Sequence, residues 1–227
     1  MGRWRDSQPE EVRAEIKAVA LRQISAGGPE ALFINAIGRE LGVTGPALYR
    51  YYPSRLALLT DLVIDAYDDF ADCLRAAVSD PHGTGGDAPL VAFGDAYLAW
   101  ARQQPHRYRL MYRPPLPDDD AHDDERVEAA HAAMGILLEV LARGSGASTS
   151  TGRRSAAFAT WMRRHKVPPR LAAHAPEAIS YWARLHGLTA LDIDGNFASM
   201  GLDTRALVRA ESLAVVSERS GVVAPTR

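Results

Sequence analysis

The chain has 227 residues, 47% of them apolar, which is enough for a sizeable core and excludes a disordered chain. The net charge of −2 does not by itself suggest a nucleic-acid binder, although the first 60 residues are mildly basic, with eight Arg and Lys against six Asp and Glu. The single cysteine, Cys73, excludes an intrachain disulfide and fits a reducing cytoplasm. No apolar run reaches the roughly 20 residues that span a bilayer, and none follows Arg3 and Arg5 as in a signal peptide, so we expect no membrane contact.

The periodicity of apolar residues predicts an all-α chain, and no stretch alternates apolar and polar residues as a strand would. Turn-forming residues separate the predicted helices at 27–29, 80–89, 114–120 and 144–152. Pro9 fits the start of the first helix, and Ser54 is the predicted N-cap of the longest. The predicted helices run about 9–26, 34–41, 45–51, 55–78, 90–103, 105–113, 122–143, 153–165, 176–190 and 203–218.

The second and third predicted helices carry the apolar pattern of a helix-turn-helix. Ile37 and Leu41 face inward on the first of the two, and Gly38 lies where the helices would cross closely. Gly42 can adopt the left-handed conformation that reverses the chain. Pro46 fits the first turn of the following helix, so the spacing predicts two short helices joined by a tight turn.

The same spacing also fits an ordinary helical hairpin buried in an all-α domain, so the apolar pattern leaves two interpretations open. The third predicted helix favours DNA binding, because it carries three phenols and a guanidinium in succession: Tyr49, Arg50, Tyr51 and Tyr52. A buried helix would not carry so many polar tips, whereas a helix between two phosphate strands would. We therefore predict a helix-turn-helix over residues 34–52.

The motif Leu48-Tyr49-Arg50-Tyr51-Tyr52-Pro53-Ser54-Arg55, followed by a long helix, closely resembles the N-terminal domain of TetR-family (tetracycline-repressor-type) regulators. The resemblance is strong over about residues 10–60, and the order of the later helices is also similar. It implies a three-helix DNA-binding head at 9–53 and a helical-bundle domain for ligand binding and dimerisation at 54–220. Three positions depart from the family pattern: Arg55 replaces the usual Lys, Phe33 stands where Ser or Thr commonly caps the second helix, and Gly38 replaces a common Ala.

The resemblance also implies which residues contact double-stranded operator DNA. By position, the phosphates would be contacted by Thr44, Tyr49 and Arg55. The residues nearest to base edges would be Asn35, Gly45, Pro46 and Arg50. Asn can form two hydrogen bonds with adenine and Arg two with guanine, which suits the second set to reading sequence.

Aromatic and sulfur-containing side chains are concentrated on a few helices of the C-terminal domain. The predicted ligand-binding residues are Tyr97, Trp100, Tyr108, Met111, Tyr112, Trp161, Trp182 and His186. Core packing is the alternative for each of them, but their polar tips suit a pocket for a small, largely apolar effector. Trp182, His186 and Gly187 also resemble the W-x-x-x-H-G pattern of one ligand-domain subfamily. A histidine in this position is more often structural than ligand-binding, and a single histidine does not form a metal site.

Apolar stripes on the last two predicted helices indicate a two-fold, four-helix dimer interface. The stripes consist of Ile179, Trp182, Ala183 and His186 on one helix and of Leu207, Ala210, Ala214 and Ser217 on the other. The run 122–125, His-Asp-Asp-Glu, could be read as a cation site, but a solvated loop at a helix start explains it better. We therefore predict no metal and no cofactor.

These observations predict a cytoplasmic, homodimeric, ligand-responsive transcriptional repressor that a small, largely apolar molecule releases from its operator. A helical enzyme is the first alternative, but the sequence offers no nucleophile–base arrangement, phosphate loop or metal motif. A helical adaptor that binds only protein is the second. We predict that the chain is not an enzyme.

Overall fold

The computed structural model describes residue 4 and residues 8–79, 88–112, 123–143 and 152–220. These residues form twelve α-helices and one 3-10 turn and contain no strand, which confirms the all-α prediction. The helices are α1 (Pro9–Gly27), α2 (Ile34–Leu41), α3 (Gly45–Tyr49), α4 (Arg55–Val78), α5 (Ala88–Gln103), α6 (Pro105–Met111), α7 (Asp123–Arg143), α8 (Gly152–Arg164), α9 (Pro169–Ala172), α10 (Ala175–Ile193), α11 (Asn196–Met200) and α12 (Thr204–Ser220).

Contacts divide the chain into two compact units, which differ from the predicted domains. The first unit comprises Met1–Ala66 and His106–Arg126, and the second comprises Tyr67–Pro105 and Val127–Arg227. Helices α4 and α7 therefore contribute residues to both units, and α6 belongs to the first except for Pro105. The functional boundary between residues 53 and 54 stays a prediction.

Helix α1 buries one apolar face and packs against the 3-10 turn and α2. Pro9 begins the helix, where its missing N–H costs nothing, and Gly28, with a φ of 74°, ends it. Val12, Ile16 and Ile24 are buried along one face of the helix, as amphipathic spacing requires.

Two glycines fix the turn between α2 and α3, as predicted. Gly42 ends α2 in the left-handed conformation, with φ 67° and ψ 32°, which a side chain would disfavour. A Cβ on Gly38 would lie 3.0 Å from Leu48 Cδ1 and 3.1 Å from the Val43 carbonyl oxygen. The two helices can cross this closely because residue 38 has no side chain.

The start of α4 is capped as predicted, because Ser54 Oγ accepts the backbone N–H of Ala57 at 3.0 Å. Helix α3 ends at Tyr49, two residues before the predicted end. Residues 50 and 51 form a turn instead, in which the backbone N–H groups of Tyr51 and Tyr52 both donate to the Leu48 carbonyl, at 2.9 and 3.0 Å.

The sequence pattern missed three short elements: the 3-10 turn Pro29–Ala31, α9 and α11. Each has three to five residues, too few for a helical apolar period to show.

The core of the second unit lies where α5, α10 and α12 pack together. Tyr181 Oη and Ser212 Oγ are 2.6 Å apart, and both side chains are fully buried. Burial raises the pKa of Tyr181, so its phenol stays protonated and available for hydrogen bonding. Gly94 makes room for this pair, since a Cβ there would lie 2.8 Å from each of the two oxygens.

Across the described residues, we find no helix whose length and apolar character would let it cross a membrane.

We expect Gly94→Ala to destabilise the fold by about 1–3 kcal/mol, because the added methyl group must push apart the oxygens of Tyr181 and Ser212. The matched control is Gly135→Ala in α7, where a Cβ would meet nothing within 4 Å. That change should stabilise the helix by up to about 1 kcal/mol. Urea unfolding followed by circular dichroism, at one fixed protein concentration, measures the free energy of unfolding of both variants. Equal changes in the two variants would contradict the packing described at Gly94.

Candidate functional site

The predicted DNA-contacting residues lie on α3 and on α2 beside it. Thr44, Pro46, Tyr49 and Arg50 are exposed, and Gly45 is partly exposed. Helix α3 therefore presents small and polar side chains to solvent, and the Arg50 guanidinium follows at its C-terminal end. This arrangement is compatible with close approach to a nucleic-acid groove.

The opposite side of α3 is anchored in the first unit by Leu48 and Tyr52, which are 2% and 3% exposed. Tyr52 Oη donates to Asp61 Oδ2 at 2.5 Å, and the Arg13 guanidinium lies over the Tyr52 ring, 5.0 Å from its centroid. Burial and the neighbouring Asp61 carboxylate raise the pKa of Tyr52, so the phenol remains a proton donor. The outward face of α3 is thereby fixed in orientation.

Asn35 lies on the flank of α2 that borders α3. It is exposed, and its Oδ1 would lie 3.6 Å from a Cβ on Gly45. Phe33 occupies the N-cap position of α2, is 62% exposed and forms no side-chain cap. Its own backbone N–H donates to Gln23 Oε1 at 3.1 Å, so α1 helps to fix the start of α2. Gln23 is a positioning residue that the sequence pattern did not reveal.

Arg55, predicted to contact phosphate, is engaged within the first unit. Its Nε donates to the Leu32 carbonyl at 3.0 Å, and its Nη2 donates to the Pro29 carbonyl at 2.6 Å. The same Nη2 lies 3.3 Å from Glu30 Oε2. Arg55 therefore closes the 3-10 turn before α2, and a phosphate would have to compete with these acceptors.

The eight predicted ligand-binding residues are distributed over both units. Tyr108, Met111 and Tyr112 belong to the first unit, where the two tyrosine rings lie 4.9 Å apart. The other five belong to the second unit: Tyr97, Trp100, Trp161, Trp182 and His186.

Tyr97 and Trp100 are packed as core residues of the second unit, with 0% and 5% exposure. Both rings contact Phe70 of α4, at centroid distances of 5.0 and 4.9 Å. Trp100 Nε1 donates to Asp69 Oδ2 at 2.9 Å, so the polar tip of the indole already has an acceptor within the protein.

Trp161 also directs its polar tip at a protein acceptor, because its Nε1 donates to His131 Nε2 at 3.2 Å. The rings of His131 and His165 are stacked, with centroids 3.5 Å apart. Burial lowers the pKa of His131, which favours the neutral ring that this hydrogen bond requires. On α10, Trp182 and His186 stack at 5.7 Å.

A groove of about 600 Å³ lies along α5, and none of the predicted ligand-binding residues lines it. Its walls include Asp95 and Arg102 of α5, Ala77 of α4 and Arg205 of α12. Arg205 Nη2 lies 3.2 Å from Asp95 Oδ2, so the two charges compensate each other.

Three aspartates spaced four residues apart on α4 were missed by the sequence analysis. Lys17 Nζ of α1 lies 3.0 Å from Asp61 Oδ2 and 2.8 Å from Asp65 Oδ2. The third, Asp69, accepts the Trp100 indole. Their helical spacing, which places them on one face, was the signal available in the sequence.

Among the described residues, no group of three or more His, Cys, Asp and Glu side chains could hold a metal ion. His122, the first residue of the run considered as a cation site, lies outside the described residues.

Comparison with known proteins gives two family matches along this chain. Residues 16–62 match the family described as bacterial regulatory proteins, tetR family, and residues 90–214 match the tetracyclin repressor-like C-terminal domain. The HTH-type transcriptional regulator Rv1816 of Mycobacterium tuberculosis is 34% identical over 144 residues, which are 63% of this chain and 61% of that protein. The chain thus spans about three fifths of the length of this curated relative.

Solved structures show the same architecture. The structure of SCO4313, described as a regulatory protein, superposes with a TM-score of 0.77 at 36% identity, covering 92% of this chain and 97% of the other. The TetR-family regulator PfmR of Thermus thermophilus has a TM-score of 0.57 over 88% of this chain and 96% of its own, at 14% identity, and shows the fold alone. From the two family matches and the relatives named here, the chain belongs to the TetR family of transcriptional regulators, which are DNA-binding proteins and not enzymes.

Proposed function

We propose that this chain is a homodimeric, ligand-responsive repressor that acts in the cytoplasm and binds a near-palindromic operator. The observation that carries the proposal is the outward face of α3. Thr44, Tyr49 and Arg50 are exposed there, while Leu48 and Tyr52 hold the opposite side in place. A helix fixed in this way can enter the major groove with its side chains preoriented.

On the proposed operator, the contacts divide into two sets. Thr44 and Tyr49 offer hydroxyl groups to phosphates, and Arg55 joins them if a phosphate replaces one of its internal acceptors. The residues proposed to lie at base edges are Asn35, Gly45, Pro46 and Arg50. Arg50 has the clearest chemical preference, since a guanidinium forms two hydrogen bonds with guanine.

The homodimer is proposed on the outward faces of α10 and α12. Ala183 on α10 and Ala210 and Ala214 on α12 are exposed, and Leu213 beside them is 42% exposed. The inward faces are occupied, because residues such as Tyr181, fully buried, pack within the second unit. A second copy of the chain would cover the outward faces, and two-fold symmetry would then match a near-palindromic operator.

The effector response is proposed to pass through α4. Asp65 and Asp69 lie one turn apart on this continuous helix; Asp65 binds Lys17 in the first unit, and Asp69 accepts the Trp100 indole in the second. A small, largely apolar molecule bound among the predicted aromatic residues of the second unit would displace Trp100 and so bias the position of α4. The effector can shift DNA affinity only by its differential affinity for the two conformations.

For DNA recognition, we expect Arg50→Ala to weaken binding to the preferred operator by about 1–3 kcal/mol and to relax the choice of base at one position. Tyr49→Phe should weaken binding to all duplexes alike, because a hydroxyl on a phosphate reads no sequence. Arg170→Ala in α9, which removes a guanidinium paired with Glu139, is the control. Fluorescence anisotropy on a duplex selected by the wild-type chain measures all three. If Arg50→Ala and Tyr49→Phe both behave like the control, α3 is not the DNA-binding element.

For assembly, we expect Ala214→Arg to convert the dimer into a monomer at micromolar concentration, because the substitution places an unpaired charge in an apolar contact. Ala99→Arg makes the same change at an exposed alanine of α5 and should leave the dimer intact. Sedimentation equilibrium distinguishes the two. A stable wild-type monomer, or a dimer that survives Ala214→Arg unchanged, would contradict the proposed interface.

For switching, we expect a double-mutant cycle to show coupling between Trp100→Phe and Lys17→Met in operator affinity. Trp100→Phe removes the indole bond to Asp69, and Lys17→Met removes the ion pairs with Asp61 and Asp65. Because all three aspartates belong to α4, the two effects should differ from additivity by more than about 0.5 kcal/mol. Lys17→Met paired with Arg170→Ala serves as the additive control. Additivity in both pairs would show that α4 does not connect Trp100 with the head.

A further inference from the structure

The cations of the head are unequally available to DNA. In α1, Lys17 is paired with Asp61 and Asp65, and Arg22 Nη2 lies 2.5 Å from Glu40 Oε1. Arg13 covers Tyr52 and lies near Asp61, and Arg55 closes the 3-10 turn. Each of these groups already has an acidic, aromatic or carbonyl partner in the protein, with which a phosphate would have to compete.

Arg39 and Arg50 differ from these four cations. Both side chains are exposed, and within the described residues neither guanidinium has an ion pair or hydrogen-bond partner. Arg50 belongs to the outward face of α3, which is already proposed to contact DNA. Arg39, on α2, was not among the residues that the sequence analysis singled out.

The position of Arg39 on α2 follows from the contacts of its neighbours. Gly38 faces Leu48 of α3, and Asn35, one helical turn before Arg39, borders Gly45. Glu40 lies on the other flank, where it pairs with Arg22 of α1. With 100° between successive residues, Arg39 shares the flank of Asn35 and therefore lies on the side of α2 next to α3.

We propose that Arg39 binds a phosphate of the strand that borders the groove occupied by α3. This inference rests on the proposed entry of α3 into the major groove. A helix in that groove runs between two phosphate strands, and an unpaired guanidinium on the adjacent flank of α2 is placed to meet one of them. The contact is electrostatic and independent of base sequence. Arg39 thereby supplies a positive charge at the phosphates in place of Arg55, whose guanidinium is bound at the 3-10 turn.

The test is the salt dependence of DNA binding by the full chain. Binding is measured from 50 to 200 mM KCl on a duplex selected by the wild-type chain and on a scrambled duplex of equal length. Arg39→Gln removes the charge, and Arg39→Lys retains it. Arg22→Gln is the matched control, because it changes the net charge equally on the α1 side of the head.

With one contact in each of two protomers, Arg39→Gln should reduce the slope of log affinity against log salt by about 1.8. Its loss of affinity relative to wild type should then be about twelvefold larger at 50 mM than at 200 mM KCl, on both duplexes. Arg39→Lys and Arg22→Gln should keep the wild-type slope.

An unchanged slope for Arg39→Gln, with wild-type binding intact, would overturn the role of Arg39 and leave the proposed function standing. An equal reduction of the salt slope by Arg39→Gln and by Arg22→Gln would also overturn the role of Arg39, because the change in net charge alone would explain the effect. Failure of the wild-type chain to bind either duplex would instead remove the proposed function and this inference together. Thermal melting of each variant confirms that the exposed substitution leaves the fold intact.

Discussion

The close crossing of α2 and α3 is the contact on which the proposed DNA-binding surface depends. Helix α3 has only five residues, and an isolated helix of that length is not stable in water. It persists because Leu48 packs against the glycine at position 38 and because Gly42 reverses the chain without strain. A larger side chain at position 38 would separate the helices and change the direction in which Tyr49 points.

Helix α4 is anchored by polar bonds as well as by apolar packing. Its Asp61 holds Tyr52, at the exit from α3, and shares Lys17 with Asp65. Partly exposed ion pairs of this kind contribute little to the free energy of folding, typically about 0–1 kcal/mol. Their effect is instead on orientation, since the pairing of Lys17 with Asp61 and Asp65 turns one face of α4 towards α1. Any displacement of α4 would therefore act on Tyr52 and on the orientation of α3.

The fold could largely be predicted from the sequence, because its main elements carry strong local signals. The bounds of α2 and α4 agree with the predicted ranges, since Gly42 ends one and Ser54 caps the other. The three shortest elements could not be predicted, because they contain too few residues for an apolar period. Helix α3 was predicted two residues too long, because residues 50 and 51 form a turn in which the N–H groups of Tyr51 and Tyr52 share the Leu48 carbonyl as acceptor.

The candidate site was less accessible to sequence reasoning. The face of α3 was predictable because its polar side chains are local to one helix. The internal partners of polar groups were not, because they come from distant parts of the chain. Arg55 finds its carbonyl acceptors 23 and 26 residues away, and Trp100 finds Asp69 31 residues away. A sequence shows that a side chain has a polar tip, but only the fold shows whether that tip is already occupied.

Methylation protection on the operator tests the central claim, that α3 of each protomer occupies a major groove, most directly. Dimethyl sulfate modifies guanine N7, which faces the major groove. The account predicts that the wild-type chain protects guanines in two major-groove segments on one face of the duplex, their centres one helical turn or a multiple of it apart, about 10–10.5 base pairs per turn. Arg50→Ala should restore modification at one guanine in each segment while leaving the others protected. Binding without any guanine protection, or a protected pattern that Arg50→Ala leaves unchanged, would contradict the placement of α3 in the groove.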